Sequence, residues 1–183
     1  MDGTPRRQRG VTLIEQLLAV GILAILVVTA TPALGGLLAR NAATAADNAV
    51  VAALQHARER AVRSGAHVVL CPSRDGAACV ADVHWEHGWL LAWDRDRDGE
   101  PDAGVEPIAV GDALPPGTVV LGSAGRTRLV FRGDGSAAGS NVSLTICHRG
   151  APAASALGVV MANSGRIRQG RPSVQRAREC VRG

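Results

Sequence analysis

An apolar run that contains a single charge constrains this chain more than any other feature. Between residues 11 and 39 the only ionisable side chain is that of Glu15. About twenty apolar residues are enough for a helix to cross the hydrocarbon layer of a membrane. Three arginines stand within residues 6–9, and Arg40 is the first arginine after the run. This bias of positive charge predicts one transmembrane helix, with the N-terminus in the cytoplasm and the chain after Arg40 outside.

The competing interpretation is a secretory signal peptide that is cleaved among the small residues 30–33. That interpretation leaves Glu15 unexplained, because a carboxylate in hydrocarbon costs about 2.5 kcal/mol or more. A buried charge is tolerated when it has a partner of opposite sign. We therefore expect Glu15 to pair with a cation.

The string RGVTLIEQLLAVGILAIL resembles the leader and N-terminal helix of type IV pilins and pseudopilins. In that family a prepilin peptidase cuts after a glycine that precedes the apolar run, and Gly10 has this position. The resemblance makes residues 1–10 a leader and Val11 the first mature residue, where the family usually has phenylalanine. Pro32 then falls where many pilins carry a helix-bending proline.

The resemblance also supplies a partner for Glu15. Cleavage would create a positively charged amino group at Val11, and in a filament the carboxylate of one subunit would neutralise the amine of its neighbour. The expected partners are therefore other pilins, bound through the helix of residues 11–39, and the peptidase that processes the chain.

After residue 39 the pattern changes to that of an amphipathic helix followed by short strands. Residues 40–65 place alanine, valine and leucine at helical spacing, and Gly65 has the position of a C-cap. Residues 66–163 contain apolar runs of four to eight residues between Gly, Pro and Asp clusters, which are typical of strands. This order predicts an α+β fold, in which a long N-terminal helix packs on a small antiparallel β-sheet domain.

Motifs in this region extend the resemblance to the group of minor pilins and pseudopilins that contains GspH, FimU and FimT. They are CPSRDGAAC, the GW that precedes WDRDRDG, LVFRGDGSA, LTIC and SGRIR. The resemblance implies a type IV pilin-like fold over nearly the whole chain. No nucleophile stands at a recognisable spacing from a base. We therefore predict no enzymatic activity and no cofactor.

Four cysteines allow three disulfide pairings. Cys71 and Cys79 flank a loop of turn-forming residues, which favours a bond between them and leaves Cys147 to meet Cys180. The oxidising compartment outside the inner membrane permits such bonds. A metal site built on Cys147 and nearby histidines is disfavoured, because the chain has no CxxC pattern.

The stretch DRDRDGEPD imitates the start of an EF-hand loop, where alternate carboxylates converge on calcium and a glycine makes the turn. The three carboxylates are those of Asp94, Asp96 and Asp98. The match ends at the twelfth position, which is Val105 and not glutamate. The neighbouring arginines Arg95 and Arg97 could also neutralise the acids. We therefore expect a solvated hairpin turn and no metal, with calcium as the alternative.

The last segment, residues 164–183, is basic and contains six arginines against one glutamate. The guanidinium group forms forked hydrogen bonds with phosphate. The GRIR string of residues 165–168 resembles the GRxR element that FimT-type pilins use to bind DNA in natural transformation. The candidate DNA contacts are Arg166, Arg168, Arg171, Arg176 and Arg178. Glycine and proline predict an irregular tail, and its alternative role is a solvated segment without a partner.

These observations predict a minor type IV pilin of the FimT or FimU kind, which joins the pilus at the cell surface and binds DNA without sequence preference. One alternative is a GspH-like pseudopilin of type II secretion with a purely structural role. Another is a membrane-anchored periplasmic protein that acts alone and binds calcium. In the DNA-binding interpretation, Arg58 and Arg63 on the helix are expected to lie against the domain and to contribute little.

Overall fold

The computed structural model describes residues 12–137 and 139–183, with the side chains of residues 30–33 excluded. The chain divides into two compact units, Met1–Leu38 and Ala39–Gly183. The first helix, α1 (Leu13–Ser64), contributes residues to both. The cleavage predicted at Gly10 and Val11 lies outside the described residues, as does the side chain of Pro32. The cleavage and the helix bend therefore stay predictions.

In the first unit α1 exposes an apolar surface. Its described leucine, isoleucine and valine side chains from Leu13 to Leu38 are each more than half exposed. Among the described residues, α1 is the one helix whose length and composition would allow it to cross a membrane. Glu15 lies in the first turn, where its backbone N–H donates to Thr12 Oγ1 at 3.4 Å, and its side chain is exposed. A continuous apolar surface of this kind indicates a lipid or protein partner.

The second unit contains eight strands and a second helix among the residues described. The elements are β1 (Val68–Pro72), β2 (Trp89–Trp93), β3 (Ala109–Gly111), β4 (Thr118–Leu121), β5 (Leu129–Phe131), β6 (Val142–His148), β7 (Leu157–Met161), β8 (Ile167–Gly170) and α2 (Val174–Arg182). Sheet A has the spatial order β3-β2-β1-β5 and sheet B the order β4-β6-β7-β8. All pairings are antiparallel. The predicted α+β class is confirmed, although the β domain comprises two sheets.

One core lies between α1 and both sheets. The buried stripe on α1 is made mainly of alanine, with the members Ala43, Ala46, Ala53, Leu54, Ala57 and Ala61. It joins one apolar cluster with Phe131 of sheet A and Ile146 of sheet B. The helical spacing of these residues explains why the stripe could be recognised in the sequence. The helix ends at Ser64 because Gly65 adopts φ +65°, which glycine tolerates best.

The two edges of sheet B differ. At β4, the backbone N–H of Trp85 donates to Val120 O at 2.9 Å, and the N–H of Val120 donates to Glu86 Oε2 at 3.1 Å. The segment that carries Trp85 and Glu86 thus covers this edge. The opposite edge strand, β8, exposes Arg168 and Gly170. An open edge leaves backbone and side chains accessible to a partner.

The expectation of an irregular C-terminal tail is wrong. Residues 167–170 form β8 on β7, and Val174–Arg182 form α2, whose N-cap Ser173 accepts a hydrogen bond from the Arg176 backbone N–H. The helix buries Ala177 and Cys180 against Val119 and Cys147 on the outer face of sheet B. The arginines obscured this pattern, because α2 buries only Ala177 and Cys180, with Val181 half-buried beside them.

Candidate functional site

The predicted arginine candidates do not form one patch but divide between two grooves. The first, which we call the helix groove, lies between α1 and the start of β8. It has a volume of about 700 Å³ and is lined by Gln55, Arg58, Glu59, Val62, Arg63, Gly165, Arg166 and Ile167. The second, which we call the sheet groove, lies on the outer face of sheet B beside α2. It has a volume of about 420 Å³, and Arg168, Arg171 and Arg176 are among its lining residues.

The helix groove brings Arg166 together with two arginines of α1. Arg58 Nε donates to Gly135 O at 3.0 Å, which fixes the stem of that side chain. Arg63 forms an ion pair with Glu59 and is 74% exposed. Arg58 and Arg63 thus line the same groove as Arg166, and the expectation that they contribute little to DNA binding stays a prediction. Three guanidinium groups against one carboxylate give this groove a positive balance.

Gly165 allows the chain to approach closely at the floor of this groove. Its φ is +73°, and a Cβ atom at this position would lie 2.0 Å from Gly135 O and 3.1 Å from Arg58 Nε. Neither the backbone conformation nor the space admits a side chain. The glycine of the GRIR string is therefore needed for the turn that places Arg166 beside α1.

The arginines of the sheet groove differ in their availability. Arg176 Nη2 donates to the carbonyl oxygens of Leu121 and Gly122, at 3.2 and 2.6 Å, and its Nη1 donates to Glu179 at 3.3 Å. These bonds give Arg176 a structural role, which makes it a poor DNA contact despite its place among the candidates. Arg168 is exposed on β8, whereas Arg171 Nη1 lies 3.5 Å from Ala154 O.

Arg178 is exposed on α2, but it does not line either groove. It borders a separate surface pocket that also includes Arg171 and Ala153. The structure therefore favours Arg166 and Arg168 among the candidates, with Arg171 at the margin. The sequence signal for the helix groove is the helical spacing of Gln55, Arg58, Glu59 and Val62 beside the buried stripe, which marks a second face of α1.

The loop after β2 brings three acidic side chains together. Carboxylate oxygens of Asp94, Asp96 and Asp98 all lie within 4.8 Å of one another. Asp94 is buried, and its Oδ1 accepts a hydrogen bond from the Gly99 N–H at 3.2 Å. Burial raises the pKa of the Asp94 carboxyl, and the Gly99 hydrogen bond offsets part of this effect. Asp96 and Asp98 are exposed.

Two disulfides stabilise the domain. Cys71 bonds to Cys79 and Cys147 bonds to Cys180, which is the pairing expected from the sequence. The first bond closes the loop after β1, and the second joins α2 to β6. No cysteine among the described residues is free.

Comparison with known protein families identifies the chain. The model of the prokaryotic N-terminal methylation motif matches residues 5–31. The model of the type II transport protein GspH matches residues 46–165, which is more than half of the chain. The chain belongs to the GspH family. The predicted resemblance to the group of GspH, FimU and FimT is thereby confirmed.

Solved structures of a minor pilin and of a minor pseudopilin share the fold of this chain. The chain is similar to the type IV minor pilin FimU of Pseudomonas aeruginosa PAO1, with 18% identity and a TM-score of 0.57 over 72% of this chain and 90% of that one. It is also similar to the minor pseudopilin EpsH of the Vibrio cholerae type 2 secretion system, with 15% identity and a TM-score of 0.51 over 72% and 98% of the two chains. A search of curated proteins finds no match. At these identities the likeness concerns the fold alone.

Membership of the GspH family has direct consequences. The family is one of minor pilins and pseudopilins, which are structural subunits that associate with other pilins in a filament. The methylation motif and the apolar half of α1 together mark an inner-membrane-anchored pilin.

Proposed function

We propose that this chain is a minor type IV pilin that joins the pilus and binds DNA for uptake in natural transformation. Its leader is removed by the prepilin peptidase, its domain faces the periplasm, and Glu15 pairs with the N-terminal amine of a neighbouring subunit. The exposed apolar surface of α1 from Leu13 to Leu38 supports a location first in the inner membrane and then in the core of a filament at the cell surface.

One observation carries the DNA-binding part of the proposal: Arg166 shares a groove with Arg58 and Arg63, and Arg168 is exposed two residues further on. Guanidinium groups of α1 and of the segment before β8 thus line the helix groove, and Arg168 adds a further guanidinium group on β8. Forked donors of this kind suit phosphate oxygens. The lining of the helix groove includes no aromatic side chain on which a base could stack. Binding is therefore led by phosphate and is indifferent to sequence.

The test is fluorescence anisotropy of labelled duplex DNA with the full chain purified in detergent. We expect a dissociation constant of about 1–100 µM at physiological salt, which is typical of non-specific binding. Arg166→Gln with Arg168→Gln should weaken binding and reduce the slope of log K against log salt by about 1.8, because each phosphate contact contributes about 0.9.

The matched control removes two arginines that line neither groove, Arg74→Gln with Arg149→Gln. Arg74 lies in the loop closed by Cys71 and Cys79 and pairs with Asp82, which follows that loop. Arg149 follows β6, at the end of sheet B opposite to Arg166. Net charge alone would give equal losses in the two double variants. Equal losses, or no salt-dependent binding by the wild type, would contradict the DNA-binding proposal.

A second candidate is a pseudopilin of type II secretion with a structural role only. It is favoured by the description of the matching family and by the similarity to EpsH. This candidate predicts no salt-dependent binding of DNA by the wild type, or equal losses of binding in the two double variants. Deletion of the gene would then abolish secretion of exported enzymes and leave pili and transformation unaffected, whereas loss of transformation with intact secretion would support the first candidate.

A further inference from the structure

We propose that the loop after β2 binds one calcium ion through the carboxylates of Asp94, Asp96 and Asp98. This site is independent of the arginine grooves and of the proposed DNA binding. Three features of the loop carry the proposal: the convergence of the carboxylates, an unpartnered buried oxygen on Asp94, and the engagement of Arg95 elsewhere.

The first feature is the spacing of the ligands. Calcium takes six to eight oxygen ligands at about 2.3–2.6 Å. Two ligands on opposite sides of such an ion are therefore separated by about 4.8 Å, which is twice a bond of about 2.4 Å. The three carboxylate oxygens lie within that distance of one another. Three oxygens at this limit lie about 2.8 Å from a common point, so small rotations of the exposed Asp96 and Asp98 side chains bring all three to bonding distance of one ion.

The second feature is the state of Asp94. Its side chain is only 1% exposed, and among the described residues Asp94 Oδ2 has no hydrogen-bond partner. A buried carboxylate oxygen without a donor is unfavourable, and buried charges in proteins are usually paired or bound to metal. The carboxylate of Asp94 offers a ligand atom to the cluster with Asp96 and Asp98, so a cation bound there would neutralise the buried carboxylate that carries the unpartnered oxygen.

The third feature removes the strongest alternative to a metal, which is neutralisation by the neighbouring arginines. Arg95 turns away to Asp102, with Nη1 at 3.6 Å from Asp102 Oδ2, and its guanidinium group lies 4.8 Å from the ring centre of Trp93. In the described part of the chain, no ion pair joins Arg95 or Arg97 to the three clustered carboxylates. Arginine therefore does not neutralise the three acids. Burial raises the pKa of the Asp94 carboxyl, and His67 is the side chain whose charge lowers it.

The backbone of the loop curls back on itself around the three acids. Arg97 and Gly99 adopt φ values of +67° and +84°, and the Asp102 N–H donates to Trp93 O at 2.8 Å, which closes the loop. The carboxylate of Asp98 accepts a hydrogen bond from the Glu100 N–H at 2.8 Å. Carbonyl groups of the curled loop and water can complete the coordination, since Asp96 and Asp98 are exposed.

The chemistry selects calcium over other common ions. All ligands are oxygen atoms, which excludes the nitrogen and sulfur ligands typical of zinc. Magnesium requires near-octahedral geometry at about 2.0–2.1 Å and gives up its water reluctantly. The twelfth position, occupied in EF-hands by a bidentate glutamate, is Val105. The expected dissociation constant is therefore in the range of extracellular modules, about 0.1–1 mM.

Calorimetry and thermal melting of the full chain in detergent, after removal of metals with EDTA, test the site. We expect saturable binding of one calcium ion, a melting temperature several degrees higher in 10 mM CaCl2 than in EDTA, and at least ten-fold weaker binding of magnesium. Asp96→Asn should reduce the calcium affinity at least ten-fold. The matched control, Asp112→Asn, removes another exposed carboxylate and should keep the wild-type affinity.

Asp94→Asn separates metal binding from a purely structural role. In EDTA this variant should melt at or above the wild-type temperature, because it removes an unpartnered buried charge, and calcium should no longer raise its melting temperature. The proposal is overturned if the wild type shows no saturable calcium binding at 10 mM, if magnesium binds equally well, or if Asp96→Asn binds calcium like the wild type.

Discussion

The buried carboxylate of Asp47 shows how one residue can fix the position of a strand at a cost in stability. Asp47 lies on α1, is 6% exposed, and accepts a hydrogen bond from Gln169 Nε2 of β8. Its other oxygen, Oδ1, has no partner among the described residues. Asp47 is polar, and its burial follows from the contact that Gln169 of β8 makes with it.

The ionisation of Asp47 should make stability depend on pH in a distinctive direction. Burial raises the pKa of this carboxyl, with partial compensation by the Gln169 hydrogen bond. The folded state then holds the proton more tightly than the unfolded state, whose pKa is about 3.9. The contribution of Asp47 is most favourable below that value and is lost as pH rises through its folded pKa.

We therefore predict that Asp47→Asn raises the melting temperature at pH 7 by a few degrees and that this gain shrinks towards pH 4. Asp134→Asn is the control of opposite sign, because hydrogen bonds from Ser136 lower the pKa of Asp134. Its contribution is present above the unfolded pKa and is lost as pH falls. Calorimetric melting between pH 4 and 8 measures both. A loss of stability in Asp47→Asn at pH 7 would mean that the ionic hydrogen bond to Gln169 outweighs desolvation.

At the scale of elements, α2 depends on its covalent link to sheet B. The disulfide between Cys147 and Cys180 spans 33 residues, whereas that between Cys71 and Cys79 spans 8. In the chain-entropy treatment, loops of these lengths contribute about 4 and about 2.5 kcal/mol. The apolar contact of α2 with the sheet is small, since Ala177 and Cys180 are its two buried residues.

We predict that Cys147→Ala with Cys180→Ala lowers the free energy of unfolding by about 4 kcal/mol, and that Cys71→Ala with Cys79→Ala lowers it by about 2.5 kcal/mol. Urea denaturation of the two double variants measures the difference, and hydrogen exchange of α2 shows whether the helix detaches before global unfolding. Equal losses would indicate that loop length does not govern the stabilisation and that packing around each bond does.

For the whole molecule, the central prediction concerns processing and assembly. Gly10→Leu should leave the ten-residue leader attached, whereas Glu15→Ala should permit cleavage but reduce incorporation into filaments, because the neighbouring amine then lacks its carboxylate. Gln16→Ala is the matched control and should assemble normally. Intact mass of the membrane-extracted protein measures cleavage, and immunoblots of sheared filaments measure incorporation. A mature N-terminus near Ala33 or Leu34 would instead indicate a secretory leader.

Local patterns predicted much of the fold. The apolar run, the alanine stripe of α1, the stop at Gly65 and the strands from β1 to β6 all have a sequence period or a turn that marks them. The remaining elements, β7, β8 and α2, were not recognised because their order depends on distant partners. Examples are Met161 opposite Val142 and Cys180 bonded to Cys147.

The candidate site was predictable by residue type but not by arrangement. The arginine content and the GRIR string indicated Arg166 and Arg168, yet no local signal could place Arg58 beside Arg166, which is more than 100 residues away. Nor could the sequence show that the guanidinium group of Arg176 donates hydrogen bonds to the carbonyl oxygens of Leu121 and Gly122. Tertiary contacts decide which charges remain free for a partner.

The bond between Cys147 and Cys180 also determines how the domain carries mechanical load. Residues 148–179, which include β7, β8 and most of α2, form a covalently closed loop that begins and ends at β6. A force that pulls on Arg166 or Arg168 can separate β8 from β7, but it can extend only the residues of that loop while the disulfide is intact. The force passes instead into β6, an interior strand that is hydrogen-bonded on both sides, so that a pull at the surface is resisted by the centre of the sheet.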